Sequence, residues 1–186
     1  NTVMLGIGQG AVAVTPFQLL SLVSGLANGG TIYRPSFVKR VETLDGEVIE
    51  EYRPEAMKKV DIRPENLAIV RRGMWGVVNE GGTGGLARIP GVAVAGKTGT
   101  AQVVRKMTRT PSDLQDHAWF VAFAPYEDPQ IALVVMVEHG GMGGRAAAPV
   151  ARAVLEAALR AEPQGEAFKA VAAPRPADTK LDEIGD

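Results

Sequence analysis

The sequence contains no cysteine, which excludes several kinds of site at once. Its 186 residues offer no disulfide, no thiolate ligand for zinc and no cysteine nucleophile. No apolar run reaches the roughly 18 residues needed to cross a bilayer, and the first residues do not resemble a signal peptide. The chain begins Asn1-Thr2-Val3 without an initiator methionine, so we expect it to be a piece of a longer protein.

Neither sign of charge is in excess. Lysine and arginine number 20 against 21 aspartates and glutamates, which gives a formal net charge of −1. Nothing therefore indicates nucleic acid or an anionic membrane surface as a partner. With 46% hydrophobic and 22% charged residues, the chain has ordinary globular composition and can form one domain with a core.

Start signals and apolar periodicity predict three helices. Thr15-Pro16 supplies an N-cap and a first-turn proline, and the helix after it ends at Asn28-Gly29-Gly30. A second helix begins at Pro64 and stops at the glycines of 81–85, which we interpret as a linker; a third begins near Ala147 and closes at Pro163. The apolar faces expected to point inward are Leu19, Leu22, Val23 and Leu26; Leu67, Val70, Met74, Val77 and Val78; and Val150, Val154, Leu155 and Ala158.

The remaining patterns predict strands. Alternation over 32–53, broken by Asp45-Gly46, predicts a two-stranded hairpin. Three further strands are predicted at Val92–Val104, His117–Ala124 and Gln130–Glu138, the last two as an antiparallel pair with both faces covered. We take Arg105, Lys106 and Arg109 as part of a solvated loop and residues 162–186 as a disordered tail. The expected fold class is α+β.

The stretch AGKTGTAQV, residues 95–103, is unusual material for a strand. Alternation places Lys97 and Gly99 on one face and Thr98 and Thr100 on the other, a mixture poorly suited to a core. On an edge that lines a cleft, Gly99 admits a second backbone, the hydroxyls donate to a carboxylate and Lys97 supplies a positive charge. The amide of Thr100 can point at a developing oxyanion. The pattern indicates acyl transfer on an extended peptide with a C-terminal carboxylate.

Several segments resemble one protein family in their order and spacing. They are GIGQG at 6–10 followed by Thr15-Pro16, YRPSFVKRV at 33–41, AGKTGTAQV at 95–103 and DHAWFVAFAP at 116–125. Lys97-Thr98-Gly99 resembles the third signature of penicillin-binding proteins and serine β-lactamases. The chain is similar, over about residues 3–161, to the C-terminal part of the transpeptidase domain of class B penicillin-binding proteins, most closely those of the penicillin-binding protein 2 group.

The resemblance implies an antiparallel sheet with packed helices and a helical subdomain across a cleft. It assigns residues 1–161 to the transpeptidase domain, with a helical subdomain piece at 1–90 and the strands and final helix at 91–161. It implies peptidoglycan crosslinking by a serine that attacks D-Ala-D-Ala stem peptides and also reacts with β-lactams. Lys97 would hold the charge network, Thr98 and Thr100 the carboxylate, Gly99 the substrate backbone, and the Thr100 amide half of the oxyanion hole. No cofactor or metal is implied.

The sequence departs from the family at its nucleophile. The family needs Ser-x-x-Lys at a helix start and a Ser-x-Asn, and the second motif is absent. The literal match Ser36-Phe37-Val38-Lys39 follows a proline and alternates like a strand, so we reject it as the nucleophile. We expect the active serine to lie before Asn1, and the isolated chain to be inactive.

Beyond the stem peptides and β-lactams, the resemblance implies two further partners: the N-terminal remainder of the same protein and the membrane glycan polymerase of the elongation machinery. It places the protein at the periplasmic face of the cell membrane, anchored through an upstream segment. Two alternatives stay open, a β-lactamase or D,D-carboxypeptidase that passes the acyl group to water, and a penicillin-recognising sensor or scaffold without turnover.

The end of the predicted hairpin brings polar residues together. Antiparallel pairing sets His117 opposite Glu138 and Asp116 opposite His139, which suits a metal site, a pH-sensitive cluster or an ordinary polar strand end. Counting back to the lysine strand puts His117 beside Val103, about 20 Å from Lys97. Gln9 is favoured as part of a tight glycine turn, and Trp75 and Trp119 as core residues.

Overall fold

The structure is a computed structural model that describes residue 8, residues 12–103 and residues 114–160. These ranges contain helices and antiparallel strands, so the expected α+β class is confirmed. The elements are α1 (Pro16–Ala27), β1 (Thr31–Tyr33), β2 (Arg40–Glu42), β3 (Val48–Glu51), β4 (Ala56–Lys59), α2 (Pro64–Asn79), a 3-10 turn (Gly85–Ala87), β5 (Ala95–Ala101), β6 (His117–Ala124), β7 (Ile131–Val137) and α3 (Gly143–Arg160).

The central sheet has the order β5-β6-β7 and is antiparallel throughout. Its middle strand coincides with the predicted His117–Ala124, and Ala118 lies opposite Val137 in the register expected for the last two strands. The lysine strand is shorter than predicted, because regular pairing covers only Ala95–Ala101. The sheet therefore has β5 at one side and a nearly fully buried strand at its centre.

Helix α3 covers one face of this sheet. Phe120 is fully buried there, and small alanines surround it on both the strand and the helix. The buried helix positions are Ala147, Ala148, Ala151 and Leu155. Val150 and Val154, which we expected inside, are 45% and 46% exposed. Alanine is favoured at the buried positions because a helix lined with methyl groups can lie closer to the sheet than one lined with valines.

The opposite face is covered by α1 and α2. Val121 and Phe123 of β6 pack there against Val23 and Ala27 of α1 and Met74 of α2. Strand β6 thus alternates between two cores, which explains why its sequence is almost entirely apolar. The helices bury narrower stripes than expected, since Leu22 is 54% and Val70 46% exposed.

The helix starts follow the predicted signals. Thr15 caps α1: its side chain accepts from the backbone N–H of Gln18, and the Gln18 side chain accepts from that of Thr15. Pro64 opens α2 as expected, whereas α3 begins at Gly143, four residues before the predicted Ala147. Glycine is a weak helix former, so this first turn depends on tertiary contact rather than on propensity. The predicted stop at Pro163 and the tail 162–186 lie outside the described residues.

The segment between α1 and α2 contains two strand pairs instead of one. The predicted hairpin is present as β2 with β3, and Asp45-Gly46 lies in its turn. A second pair, β1 with β4, was missed by the sequence prediction. Its strands, of three and four residues, begin and end too close to turns to show a clear alternation. Among the described residues, no helix is long and apolar enough to cross a membrane.

Two glycines at the start of α3 allow a close approach to the sheet. A Cβ at Gly143 would lie 2.2 Å from the carbonyl oxygen of Trp119 and 2.4 Å from that of Gly99. A Cβ at Gly144 would lie 2.2 Å from the carbonyl oxygen of Thr83. These atoms belong to the backbone and cannot rotate away, so only glycine fits at either position.

Arg71 of α2 joins three elements beneath the sheet. Its guanidinium donates to the carbonyl oxygen of Ala27 at 3.2 Å and to that of Tyr126 at 2.6 Å. It also lies 5.3 Å and 5.4 Å from the ring centroids of Phe123 and Tyr126. Burial lowers the pKa of Arg71, which remains charged at neutral pH.

We predict that Gly143→Ala destabilises the protein by about 1–3 kcal/mol, because the added methyl group forces α3 away from β5 and β6. Gly73→Ala is the matched control, since a Cβ there meets no atom within 4 Å inside α2. It should leave stability unchanged or raise it by up to about 1 kcal/mol. Thermal unfolding measures both variants, and equal melting temperatures would contradict the close-packing argument.

We predict that Arg71→Met lowers the free energy of unfolding by about 1–2 kcal/mol, because it removes two charge-assisted hydrogen bonds from a half-buried site. The neighbouring Arg72→Met is the control. Arg72 donates to the exposed carboxylate of Glu80 and lies over the face of Trp75, so its loss should matter far less. Urea unfolding followed by circular dichroism distinguishes the two, and a larger effect at Arg72 would refute the assignment.

Candidate active site

Strand β5 presents an edge. Within the described ranges it pairs with β6 alone, so the backbone groups directed away from β6 face no other described strand. Lys97, Thr98, Gly99 and Thr100 lie in the middle of this strand, where the ladder is regular from Ala95 to Ala101. An extended peptide can add to such an edge by backbone hydrogen bonds.

Lys97 is exposed on this edge. Its ammonium donates to the carbonyl oxygen of Thr98 at 2.7 Å. The side chain therefore follows its own strand rather than extending into solvent. This conformation keeps the positive charge beside the hydroxyl-bearing residues of the strand.

Thr98 is half-buried and paired with Thr83, which is not among the residues predicted for the site. Its Oγ1 lies 2.7 Å from Oγ1 of Thr83, and either hydroxyl can be the donor. Thr83 belongs to the glycine-rich segment 81–85, which we had interpreted as a linker. Its position is instead that of a contact residue for β5.

Gly99 is enclosed on both sides of the strand. A Cβ would lie 3.1 Å from Cβ of Trp119, its partner on β6, and Gly143 covers the opposite side. A side chain at this position would therefore crowd Trp119, so glycine is favoured by packing within the chain. Thr100, the next residue, is exposed.

The register between β5 and β6 differs from the predicted one. His117 lies opposite Ala101, not Val103, which places it four residues along from Lys97, or about 13 Å. A shift of two residues leaves every side chain on the same face, so the apolar pattern cannot distinguish these registers. At this separation His117 still cannot act directly as a base at Lys97.

The two histidines form a local pair at the strand end. Their ring centroids are 4.8 Å apart, and the backbone N–H of His139 donates to Nδ1 of His117 at 3.0 Å. Nδ1 of His139 lies 3.0 Å from the carbonyl oxygen of Gln115, which can only accept. In the described part of the chain, no group of three or more histidine, aspartate or glutamate side chains can hold a metal ion. These contacts favour the polar strand end over the metal site.

Ser36 has the surroundings of a turn residue. It lies between β1 and β2 outside any helix, and its hydroxyl donates to the carbonyl oxygen of Val38 at 2.9 Å while accepting from the Val38 N–H at 3.2 Å. Because Ser36 is in a local turn and not in a helix, Lys39 is not placed beside it by a helical turn. The rejection of Ser36 as nucleophile is therefore consistent with its geometry. Gln9, Arg105, Lys106 and Arg109 lie outside the described residues.

The sequence did contain a signal for the missed residues. Thr83 is flanked by Gly82 and Gly84, and Gly143-Gly144 open a helix, a position where glycine has no advantage in propensity. Glycine in both places marks close backbone contact rather than a flexible linker. The pattern indicates which glycines make close contacts, but it does not indicate which strand they contact.

The chain matches the family described as the penicillin-binding protein transpeptidase domain over residues 1–156. It is 37% identical over 168 residues to the peptidoglycan D,D-transpeptidase MrdA of Haemophilus influenzae, covering 84% of this chain and 25% of that protein. It is 38% identical over 162 residues to the D,D-transpeptidase PbpA of Mycolicibacterium smegmatis, covering 84% of this chain and 32% of that protein. The chain thus spans about a quarter to a third of these relatives.

Solved structures agree in fold. The ceftriaxone acyl-enzyme complex of penicillin-binding protein A from Mycobacterium tuberculosis superposes with a TM-score of 0.72 at 36% identity, covering 84% of this chain and 35% of that one. Penicillin-binding protein 2 from Pseudomonas aeruginosa gives a TM-score of 0.66 at 40% identity, covering 93% of this chain and 35% of that one. The resemblance inferred from the motifs is confirmed, and the chain belongs to the penicillin-binding protein transpeptidase domain family.

Proposed function

We propose that this chain is the C-terminal part of a D,D-transpeptidase domain that crosslinks peptidoglycan by serine acyl transfer. The observation that carries the proposal is the β5 edge, where a lysine, two threonines and a glycine lie on a strand with an open side among the described residues. The relatives named as peptidoglycan D,D-transpeptidases support the same activity.

The edge suits a stem peptide that ends in D-Ala-D-Ala. The peptide would lie antiparallel to β5 and form backbone hydrogen bonds with it. The hydroxyls of Thr98 and Thr100 would donate to its terminal carboxylate, and Lys97 would add an attractive charge nearby. Gly99 would keep the strand surface low enough for the peptide backbone to approach.

The chemistry requires two steps. A serine Oγ attacks the carbonyl carbon of the penultimate D-alanine, the bond to the terminal D-alanine breaks, and a proton passes to the leaving amine. An amine of a neighbouring stem then attacks the ester, which forms the crosslink and frees the serine. The Thr100 amide would stabilise the oxyanion in each step as one of its two donors. A β-lactam would acylate the same serine, as in the acyl-enzyme complex of the M. tuberculosis relative.

The serine itself is proposed to come from outside these 186 residues. The sequence contains a single Ser-x-x-Lys, and its Ser36 lies in a turn outside any helix. The segment that carries the active serine would pack with this chain as one domain. We further propose that the complete protein is anchored at the periplasmic face of the membrane and works with the membrane glycan polymerase of the elongation machinery.

We predict that the complete protein becomes covalently labelled by a fluorescent penicillin, whereas the chain Asn1–Asp186 alone does not. Denaturing electrophoresis after incubation measures the label, and circular dichroism checks that the isolated chain is folded. Labelling of the isolated chain would place the nucleophile within it. An unlabelled complete protein would favour a non-catalytic scaffold, and rapid loss of the label to water would favour a hydrolase.

We predict that Lys97→Ala in the complete protein slows acylation by penicillin at least about 100-fold, because it removes a fixed charge from the site of oxyanion formation. Lys58→Ala on β4 is the matched control, since that exposed lysine belongs to a different sheet. Stopped-flow or time-resolved labelling gives the second-order rate constant. An unchanged rate for Lys97→Ala, or an equal loss for both variants, would refute the role of Lys97.

A further inference from the structure

The hydroxyl pair of Thr83 and Thr98 connects the substrate edge to a segment with no assigned role. Thr83 lies between α2 and the 3-10 turn, in a segment held tightly in place. The N–H of Gly84 donates to the carbonyl oxygen of Val77 at 3.0 Å, and a Cβ at Gly82 would lie 2.6 Å from Val77 backbone atoms. Gly144 covers the Thr83 carbonyl from the side of α3. The hydroxyl of Thr83 is therefore presented from a tightly packed backbone.

The number of hydroxyl hydrogens limits which hydrogen bonds this pair can form. Each threonine hydroxyl has one hydrogen and can also accept. The 2.7 Å contact uses one of the two hydrogens, and either residue can supply it. If Thr98 donates to Thr83, its only hydrogen is directed away from a ligand. If Thr83 donates, the hydrogen of Thr98 is free to point at a carboxylate.

A bound carboxylate selects the second arrangement. It accepts hydrogen bonds only, so Thr98 must donate to it and must therefore accept from Thr83. The resulting chain runs from Thr83 to Thr98 to the carboxylate, and hydrogen bonds in such a chain strengthen one another. Without a hydroxyl at position 83, the Thr98 hydroxyl loses the partner that fixes its rotation.

We propose that Thr83 is a positioning residue, which orients the Thr98 hydroxyl toward the terminal carboxylate of the stem peptide or the carboxylate of a β-lactam. The inference rests on the proposed function. Thr83 touches Thr98 rather than the reacting atoms, and its effect is specific to ligands that carry the carboxylate. This specificity separates orientation of Thr98 from a general contribution to folding.

The test uses the complete protein and two penicillins, one with its free carboxylate and one as the methyl ester, with rates corrected for their intrinsic reactivity. Thr83→Val removes the hydroxyl and retains the shape, while Thr83→Ser retains the hydroxyl. We expect Thr83→Val to lower the acylation rate constant for the free acid about tenfold and that for the ester less than twofold. Thr83→Ser should restore most of the rate for the acid.

Three controls complete the design. Thr43→Val makes the same substitution in the β2–β3 turn, where the hydroxyl accepts from Glu47, and should change neither rate. Thr83→Val combined with Thr98→Val should be no slower than Thr98→Val alone, because the two hydroxyls act in sequence. Melting temperatures identify variants that are merely unstable.

The outcomes are distinct. A loss confined to the free acid and rescued by serine supports the proposal. An equal loss with acid and ester, additive effects in the double variant, or no loss at all would overturn it while leaving the transpeptidase assignment intact. If the wild-type protein reacts with neither penicillin, the proposed function fails, and the inference fails with it.

Discussion

The contact between the first turn of α3 and the backbone of the central sheet is the constraint on which the rest of the structure depends. Gly143 rests on the carbonyl groups of Gly99 and Trp119, and Gly144 rests on that of Thr83. Four segments that are far apart in sequence meet there, mainly through backbone atoms. Because backbone atoms define the contact, it fixes the height of α3 above the sheet and the position of Thr83 beside β5. Alanines can then complete the interface along the rest of the helix.

The second requirement is rigidity beneath the candidate site. Strand β6 is buried on both faces and separates the core under α3 from the core under α1 and α2. Arg71 joins the end of α1 to the turn after β6. Its charged guanidinium lies at the border of the core under α1 and α2 and donates to carbonyl oxygens of both segments. Because β6 is held in this way, its hydrogen bonds fix the position of the neighbouring strand β5. The side chains of β5 can then serve recognition, since β6 and the helices supply most of the packing.

Much of this architecture was predictable from the sequence. The N-cap at Thr15, the proline at 64 and the apolar run of β6 each have a local cause, and each of these elements formed where it was expected. The errors arise where tertiary contact decides. Val150 and Val154 were expected to be buried but are exposed, and alanines face the sheet in their place. Hydrophobicity alone did not predict this, because it carries no information on the distance between helix and sheet. The register of His117 was wrong by two residues, a shift to which an alternating pattern is insensitive. Lys97, Thr98, Gly99 and Thr100 could be selected as candidates by residue type, whereas the contact of Thr83 with Thr98 is visible only in three dimensions.

The edge of β5, which faces no other strand in the described part of the chain, also bears on self-association. A strand that accepts an extended peptide through its backbone can in principle accept a strand from a second copy, which is the first step of edge-to-edge aggregation. The edge is only seven residues long, and an exposed lysine lies at its third position. A second copy aligned there would bring two ammonium groups together, whereas a ligand with a carboxylate would neutralise one. The charge that is proposed to attract the ligand would therefore also discourage self-association, so that one side chain would serve both recognition and solubility.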